Sequence, residues 1–401
     1  MPRLIYFTNA RLPSVMAHGL QIVQNCEAFA QSGVDVRLWC ARRAIPQDER
    51  GLNPDIWAYY GVQPNFRLRR LPTLDLTRFG GTDESVLARV LFYVQYGTFA
   101  LAALFAALWT SADLYYSRDP LTLLLLSLVK PRRALVYEAH QLHPPGWSGW
   151  LQRHTLPRCA LTVAVTPPLR DALEGLQASN TLKSQIVSAH DGIRQARFEA
   201  LPSQADARAR VGWSPDVFIV GYMGRLTTLG ITKGVDILID ALALLPEARI
   251  AIALVGGPDA MVAAYREQWR ARGLPDALFL AAGQVPPDQV PLYLSAFDIC
   301  AMPFTEHFGL YASPMKLFEY MASGRALVAS DLPAWRDVVQ HEQTALLVPA
   351  ADVPALAAAI AQLHMNMELR TRLADNARQH VLAHYTWRAR AERILQLHKS
   401  G

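Results

Sequence analysis

Between residues 304 and 333 the chain reads as the end of one strand, a loop, a short helix and a new strand. This order constrains the fold more than any other stretch. A helix held so tightly between two apolar strands is the crossover unit of a parallel sheet. Ser313 and Pro314 make a helix start, since serine can cap unbonded amides and proline at the first helical position loses no hydrogen bond. Leu317, Tyr320 and Met321 share one helical face, and Gly324 supplies the left-handed stop. Residues 326–330 then form a short apolar strand. A helix N-terminus behind a loop at a strand's carboxyl end is a natural anion site. Lys316 in the first turn and Glu319 beyond it offer an ammonium and a carboxylate. Together with the helix amides they suit a nucleoside diphosphate: phosphates at the helix start, ribose hydroxyls on the carboxylate. An ordinary crossover with solvated charges fits the helix alone equally well.

The same alternation runs twice along the chain. Residues 3–9, 15–32 and 34–40 read as strand, helix and strand, with Gly33 closing the helix. After a polar helical connection over 194–211 the pattern restarts at Asp216. Its strands are expected at 217–223, 249–255, 278–281, 297–302, 326–330 and 345–348. The fold class is therefore α/β: two Rossmann-like, doubly wound domains facing a cleft. The first spans 1–193 and the second 194–384, and the last helix, 385–401, can return to the first domain. A chain of 401 residues is long enough for about two to three domains, and ligands of such sheets sit at the carboxyl ends of the strands.

Composition narrows the function. Lys plus Arg exceed Asp plus Glu by only 39 to 34, and no dense basic run occurs, which argues against dedicated nucleic-acid binding. Cys26, Cys40, Cys159 and Cys300 are scattered, as reduced core residues of a cytoplasmic protein would be. No signal peptide is expected at the start of this sequence. Residues 90–109 carry no charge and are long enough to span a bilayer. Gln95, Gly97, Thr98 and the α/β pattern that follows point instead to the buried helix of a large domain, with a membrane-apposed face as the alternative. No two glycines are separated by a single residue, so the dinucleotide fingerprint is absent; there is also no Walker loop and no G-x-S-x-G.

Three loops at strand ends of the second unit are compatible with phosphate: 224–234, 256–258 and 304–313. Arg225 and Lys233 stand beside Gly224 and Gly234, and Gly256 and Gly257 open the next loop. Charge-assisted hydrogen bonds from such groups are worth about 1.5–3 kcal/mol each. In the first unit, Glu138 and His140 end a strand, where a histidine can orient a reacting group or shuttle a proton. His143 adds no clean metal geometry, and Asp-x-Asp occurs nowhere, so phosphate charge is expected to be balanced without a metal or cofactor.

As an ordered set these residues resemble the GT-B glycosyltransferases, specifically the large retaining family numbered four. Gly224-Arg225 with Lys233-Gly234, residues 255–258, residues 313–322, residues 324–333 and residues 344–349 carry the resemblance across the second domain. In the first domain Ala17-His18-Gly19, with residues 27–33, is similar to the acceptor-side first helix of one branch. Residues 136–140 are similar to the strand that presents the active-site histidine. The resemblance implies retaining transfer from a nucleoside-diphosphate sugar; the acceptor, a glycan, a lipid-linked group or a small molecule, stays open. Arg225 and Lys233 would bind the diphosphate and stabilise the leaving group. Glu319 would hold the ribose, and amides near Met315, Lys316 and Leu317 would meet phosphate or sugar. His140 would face the transferred sugar, with His18 and Glu138 on the acceptor side.

One departure stands out. The family often has a glutamate eight positions before the one matching Glu319, where this chain has Tyr311; Glu306 resembles a displaced partner. A GT-B nucleotide-sugar epimerase using Glu138, or a non-catalytic nucleotide-sugar-binding protein, are the alternatives. Acceptor contacts are expected in loops 8–19, 53–83 and 140–150, where Trp147 and Trp150 can stack a sugar, seat at a lipid surface or simply pack.

Overall fold

The computed structural model describes residues 1–44, 51–77, 86–178, 181–228 and 230–400. Of the expected acceptor loop 53–83, residues 78–83 lie outside this set, as does Leu229 in the loop 224–234. The chain divides into two compact units, Met1–His190 with Trp387–Gly401, and Asp191–Thr386.

The first unit runs β1 Arg3–Thr8, α1 Ala17–Gln31, β2 Asp35–Ala41, α2 Ile56–Tyr60, β3 Arg67–Leu71, α3 Val86–Leu108, β4 Leu114–Ser117, α4 Pro120–Leu126, β5 Leu135–Ala139, α5 Trp147–Thr155, β6 Leu161–Ala164, α6 Pro167–Leu176 and β7 Gln185–Ser188. Its strands pair in parallel in the order β3-β2-β1-β4-β5-β6-β7. Burial explains why these short runs are strands. Every residue of β4, β5 and β6 is buried, the signature of a sheet covered on both faces.

The second unit runs α7 Gln204–Val211, β8 Phe218–Met223, a small hairpin of β9 Thr227–Thr228 and β10 Ile231–Thr232, α8 Val235–Ala243, β11 Ile250–Val255, α9 Asp259–Ala271, β12 Phe279–Ala282, α10 Val290–Ala296, β13 Ile299–Met302, α11 Met315–Ala322, β14 Ala326–Ser330, β15 Leu346–Val348, α12 Val353–Met365 and α13 Met367–His384. The order is β12-β11-β8-β13-β14-β15, again parallel. The last helix, α14 Trp387–Ser400, belongs to the first unit and packs on α1. In each sheet the strand order reverses once, between β1 and β4 and between β8 and β13. Loops leaving these strands diverge there and open a crevice.

α3 corrects the expectation of a buried helix. Gln95, Tyr96, Phe99, Ala100, Ala103 and Ala107 form its buried stripe, while Leu87, Val90, Val94, Leu101, Phe105 and Leu108 are exposed. The helix is long and apolar enough to cross a membrane, yet it crosses over one face of a sheet that covers one side of it.

Candidate functional site

In the second unit the three glycine-bearing loops meet backbone to backbone. Gly256, at φ 133°, sits where a Cβ would lie 2.3 Å from the Gly224 carbonyl oxygen, and Gly234 where one would lie 1.8 Å from that of Pro303. The Gly224 amide donates to the Val255 carbonyl (2.7 Å) and that of Leu226 to Gly257 (3.1 Å). The loop after β8 is thus clamped to the loop after β11, and Gly234 to the end of β13.

Two lysines project into this assembly. Lys316, in the first turn of α11, is buried; its Nζ donates to the Tyr222 hydroxyl (2.6 Å) and lies 3.9 Å from the centre of that ring. The Tyr222 hydroxyl in turn donates to the Arg225 carbonyl (2.9 Å). A Cβ on Gly224 would stand 3.1 Å from the same Nζ. Lys233 has its Nζ 5.7 Å from the Phe304 ring, and Lys316 lies 5.5 Å from that ring. Burial pushes Lys233 down to about 8, with Arg225 adding to the shift. Burial lowers Lys316 far more, Lys233 adding and Glu319 opposing. Like charges held close together and partly out of water disfavour one another's protonation. An anion placed among them would restore it.

Glu319 lies one turn beyond Lys316 in α11, with its Oε1 3.8 Å from an Arg197 nitrogen. Burial raises its pKa while Arg197 and Lys316 pull it down. Ser313 does not cap α11, contrary to expectation. No side chain caps this helix, and the Ser313 hydroxyl accepts the Asp191 amide instead (2.9 Å). The reason is geometric: Pro314 itself takes the capping position with extended backbone. The Leu317 amide is spent on the Pro314 carbonyl (2.9 Å), so Met315 and Lys316 carry the helix-start amides that remain for a ligand. Glu306 stands in an exposed single turn, while Phe308 of the same turn is buried on Phe304 with ring centres 4.9 Å apart. Tyr311 is half-buried.

The first unit gathers a different cluster. Glu138, fully buried on β5, accepts from Gln21 Nε2 (2.9 Å), Asn25 Nδ2 (3.1 Å) and the Tyr116 hydroxyl, and an Arg390 nitrogen lies 3.6 Å away. His140 Nε2 is 2.5 Å from Glu138 Oε1 and 3.1 Å from Gln21 Nε2. Arg118, at the end of β4, donates to Gln21 Oε1. Burial alone would raise the Glu138 carboxyl, but Arg390, His140 and Arg118 outweigh it and hold it ionised. Burial lowers His18 and His140 to about 4, and Arg118 depresses both. Sequence alone does not point to Gln21, Asn25, Tyr116, Arg118, Arg390, Tyr222 or Arg197. For Arg118 the strand order supplies the signal, because it leaves β4 at the point of reversal. His143 does not join the cluster: its amide donates to Gln152 Oε1 (2.9 Å). Among the described residues, no three histidine, cysteine or acidic side chains gather as metal ligands.

Residues 217–366 match the family described as "Glycosyl transferases group 1". A D-inositol 3-phosphate glycosyltransferase of Corynebacterium urealyticum is 30% identical over 251 residues, 60% of this chain and 56% of that protein. The chain thus spans little over half the length of this relative. Among solved structures, sucrose-phosphate synthase of Thermosynechococcus elongatus superposes with a TM-score of 0.74 at 19% identity, covering 100% of this chain and 99% of that one. HepE of Anabaena, in complex with UDP and glucose, superposes with a TM-score of 0.70 at 18% identity, covering 100% of both chains.

Proposed function

From a chain that carries a group 1 glycosyl transferase domain over residues 217–366 and has the two-domain GT-B fold, we propose a retaining glycosyltransferase of the family-four type. It moves a sugar from a nucleoside-diphosphate sugar to a sugar or lipid-linked acceptor without a metal. The observation that carries this reading is the recess of Gly224, Lys233 and Lys316 beside the uncapped start of α11. Its positive groups are crowded, partly discharged and in need of an anion. A diphosphate leaving group accumulates negative charge as the glycosidic bond breaks, and fixed positive groups stabilise that charge most where it develops. Arg225, Lys233 and the Met315 and Lys316 amides would do so here, and Glu319 would accept ribose hydroxyls. In the first unit, His140, fixed by Glu138, would contact the transferred sugar, with His18 on the acceptor side. The four cysteines, all buried and unpaired, support a cytoplasmic enzyme.

The test is release of nucleoside diphosphate from a panel of nucleotide sugars, starting with UDP-glucose, in chelator and with an acceptor library. The anomeric configuration of the product is read by NMR. Retained configuration with activity in chelator is expected. Inverted product, or a strict metal requirement, would overturn the corresponding part. Tyr311 in place of a carboxylate, and the exposed Glu306, favour a second reading: a nucleotide-sugar-binding protein without transfer. Tight donor binding with neither hydrolysis nor transfer across the library would select it.

A further inference from the structure

The solvent side of α3 carries Leu87, Val90, Val94, Leu101, Phe105 and Leu108 at helical spacing, all exposed, Phe105 at 61%, and the adjoining Trp109 is 91% exposed. The opposite side is tied to its own unit. Gln95 exchanges hydrogen bonds of 3.0 and 2.7 Å with Asn9, the Tyr96 hydroxyl accepts the Leu121 amide (3.1 Å), and Thr98 Oγ1 accepts the Leu74 amide (3.1 Å). Leaving the unit to cross a bilayer would strip these buried groups of their partners, so α3 is built to lie along a surface. α4 packs on α3 and α5 on α4. The exposed apolar character continues through this layer at Leu128 (72%), Trp147 (55%) and Trp150 (44%), the two indoles stacked with centres 5.1 Å apart.

Charge identifies what covers it. The acids among residues 86–160 are Asp113, Asp119 and Glu138. Glu138 is buried, half-buried Asp119 accepts the Asn9 amide (2.7 Å), and Asp113 accepts the Arg3 amide (2.7 Å). Against them stand exposed Arg89, Arg133, Arg153 and Arg158. A second copy of the chain would bring these positive groups against one another. We propose that the α3–α4–α5 layer docks on an anionic lipid surface. The apolar stripe of α3 would enter the acyl boundary, the tryptophans would sit at headgroup depth, and the arginines would meet lipid phosphates.

The experiment is flotation of the full chain with phosphatidylcholine vesicles made with and without phosphatidylglycerol. Binding is expected only with phosphatidylglycerol and should weaken as salt rises. Leu101→Glu combined with Phe105→Glu should lower the affinity at least about tenfold, since both would put carboxylates in hydrocarbon. Circular dichroism should be unchanged, because both positions are exposed. Arg133→Glu and Arg153→Glu should each weaken binding by about fivefold. The proposal fails if the chain does not float with anionic vesicles, or if the Leu101/Phe105 variant floats as well as the parent. It fails also if sedimentation instead shows a dimer that this variant dissolves. None of these outcomes depends on glycosyl transfer.

Discussion

The polar cluster around Glu138 and the lysine recess around Gly224 are built on opposite electrostatic plans. In the first, one buried carboxylate is met by Gln21, Asn25, Tyr116, His140 and Arg390, so its charge is answered from within the unit. In the second, Lys233 and Lys316 both stand by the Phe304 ring, and the nearby acid is Glu319, itself shared with Arg197. In the first, the charge of Glu138 is answered without a ligand. The second keeps two cationic groups close together, an arrangement that commonly costs stability at binding sites. Glu138 is held charged by its own unit, whereas an anion would relieve the closeness of the two lysines.

The harshest way to break this contrast is Glu138→Ala. Removing the carboxylate leaves Arg390 and several polar groups buried without their acceptor, and should cost about 3–5 kcal/mol of stability in urea unfolding. The recess should respond in the other sense. Arg225→Ala and Lys233→Ala should each weaken nucleoside-diphosphate binding by about tenfold to a hundredfold, the worth of one charge-assisted bond. Melting temperatures should hardly move. Calorimetry that finds unchanged affinity in both would remove the recess as the diphosphate site.

Lys316→Met sharpens the comparison further. Tyr222 keeps its bond to the Arg225 carbonyl, and a like-charge neighbour of Lys233 disappears. The ligand-less protein should melt no lower than the parent while nucleotide affinity falls. A clear loss of stability would mean that Lys316 is structural. A pH series follows from the same crowding. Lys233 is charged below about 8 and neutral above it. Diphosphate affinity should therefore decline as pH rises through about 8, where an ordinary lysine would hold it constant to about 10. Lys233→Arg should remove that decline. The smallest effect belongs to Glu319→Gln, which trades a charged acceptor for a neutral one. It should weaken nucleoside diphosphates severalfold, about 1 kcal/mol, and leave inorganic pyrophosphate unaffected.

Much of this organisation was legible in the sequence because parallel strands buried on both faces are unbroken apolar runs. β14 falls on residues 326–330 as expected, and the sheets restart at Asp216 within two residues of β8. α6 was overlooked although Thr166 caps it and Pro167 opens it. α5 begins after two prolines and Gly146, and nine residues give little periodicity. Ser313 had the right residue type at the right place, but Pro314 took the cap. The side chain was then drawn to the Asp191 amide, 122 residues distant in sequence. α3 misled because composition reports that a helix is apolar all round, not that its sheet covers one side. The two clusters were half visible: Glu138, His140, Lys233 and Lys316 are local to strand ends. Their partners Tyr222 and Arg390 arrive from far along the chain, which only the packed structure reveals.

Arg390 has a consequence for how the protein is made. The first unit closes around Glu138 with a helix that follows residues 191–386, the whole second unit. At the usual pace of synthesis those residues take roughly 10–40 s to emerge. Throughout that interval the nascent first unit holds a carboxylate whose arginine has not yet been translated. The order of assembly is thereby inverted: the unit begun first is finished last, and α14 acts as its closing clasp.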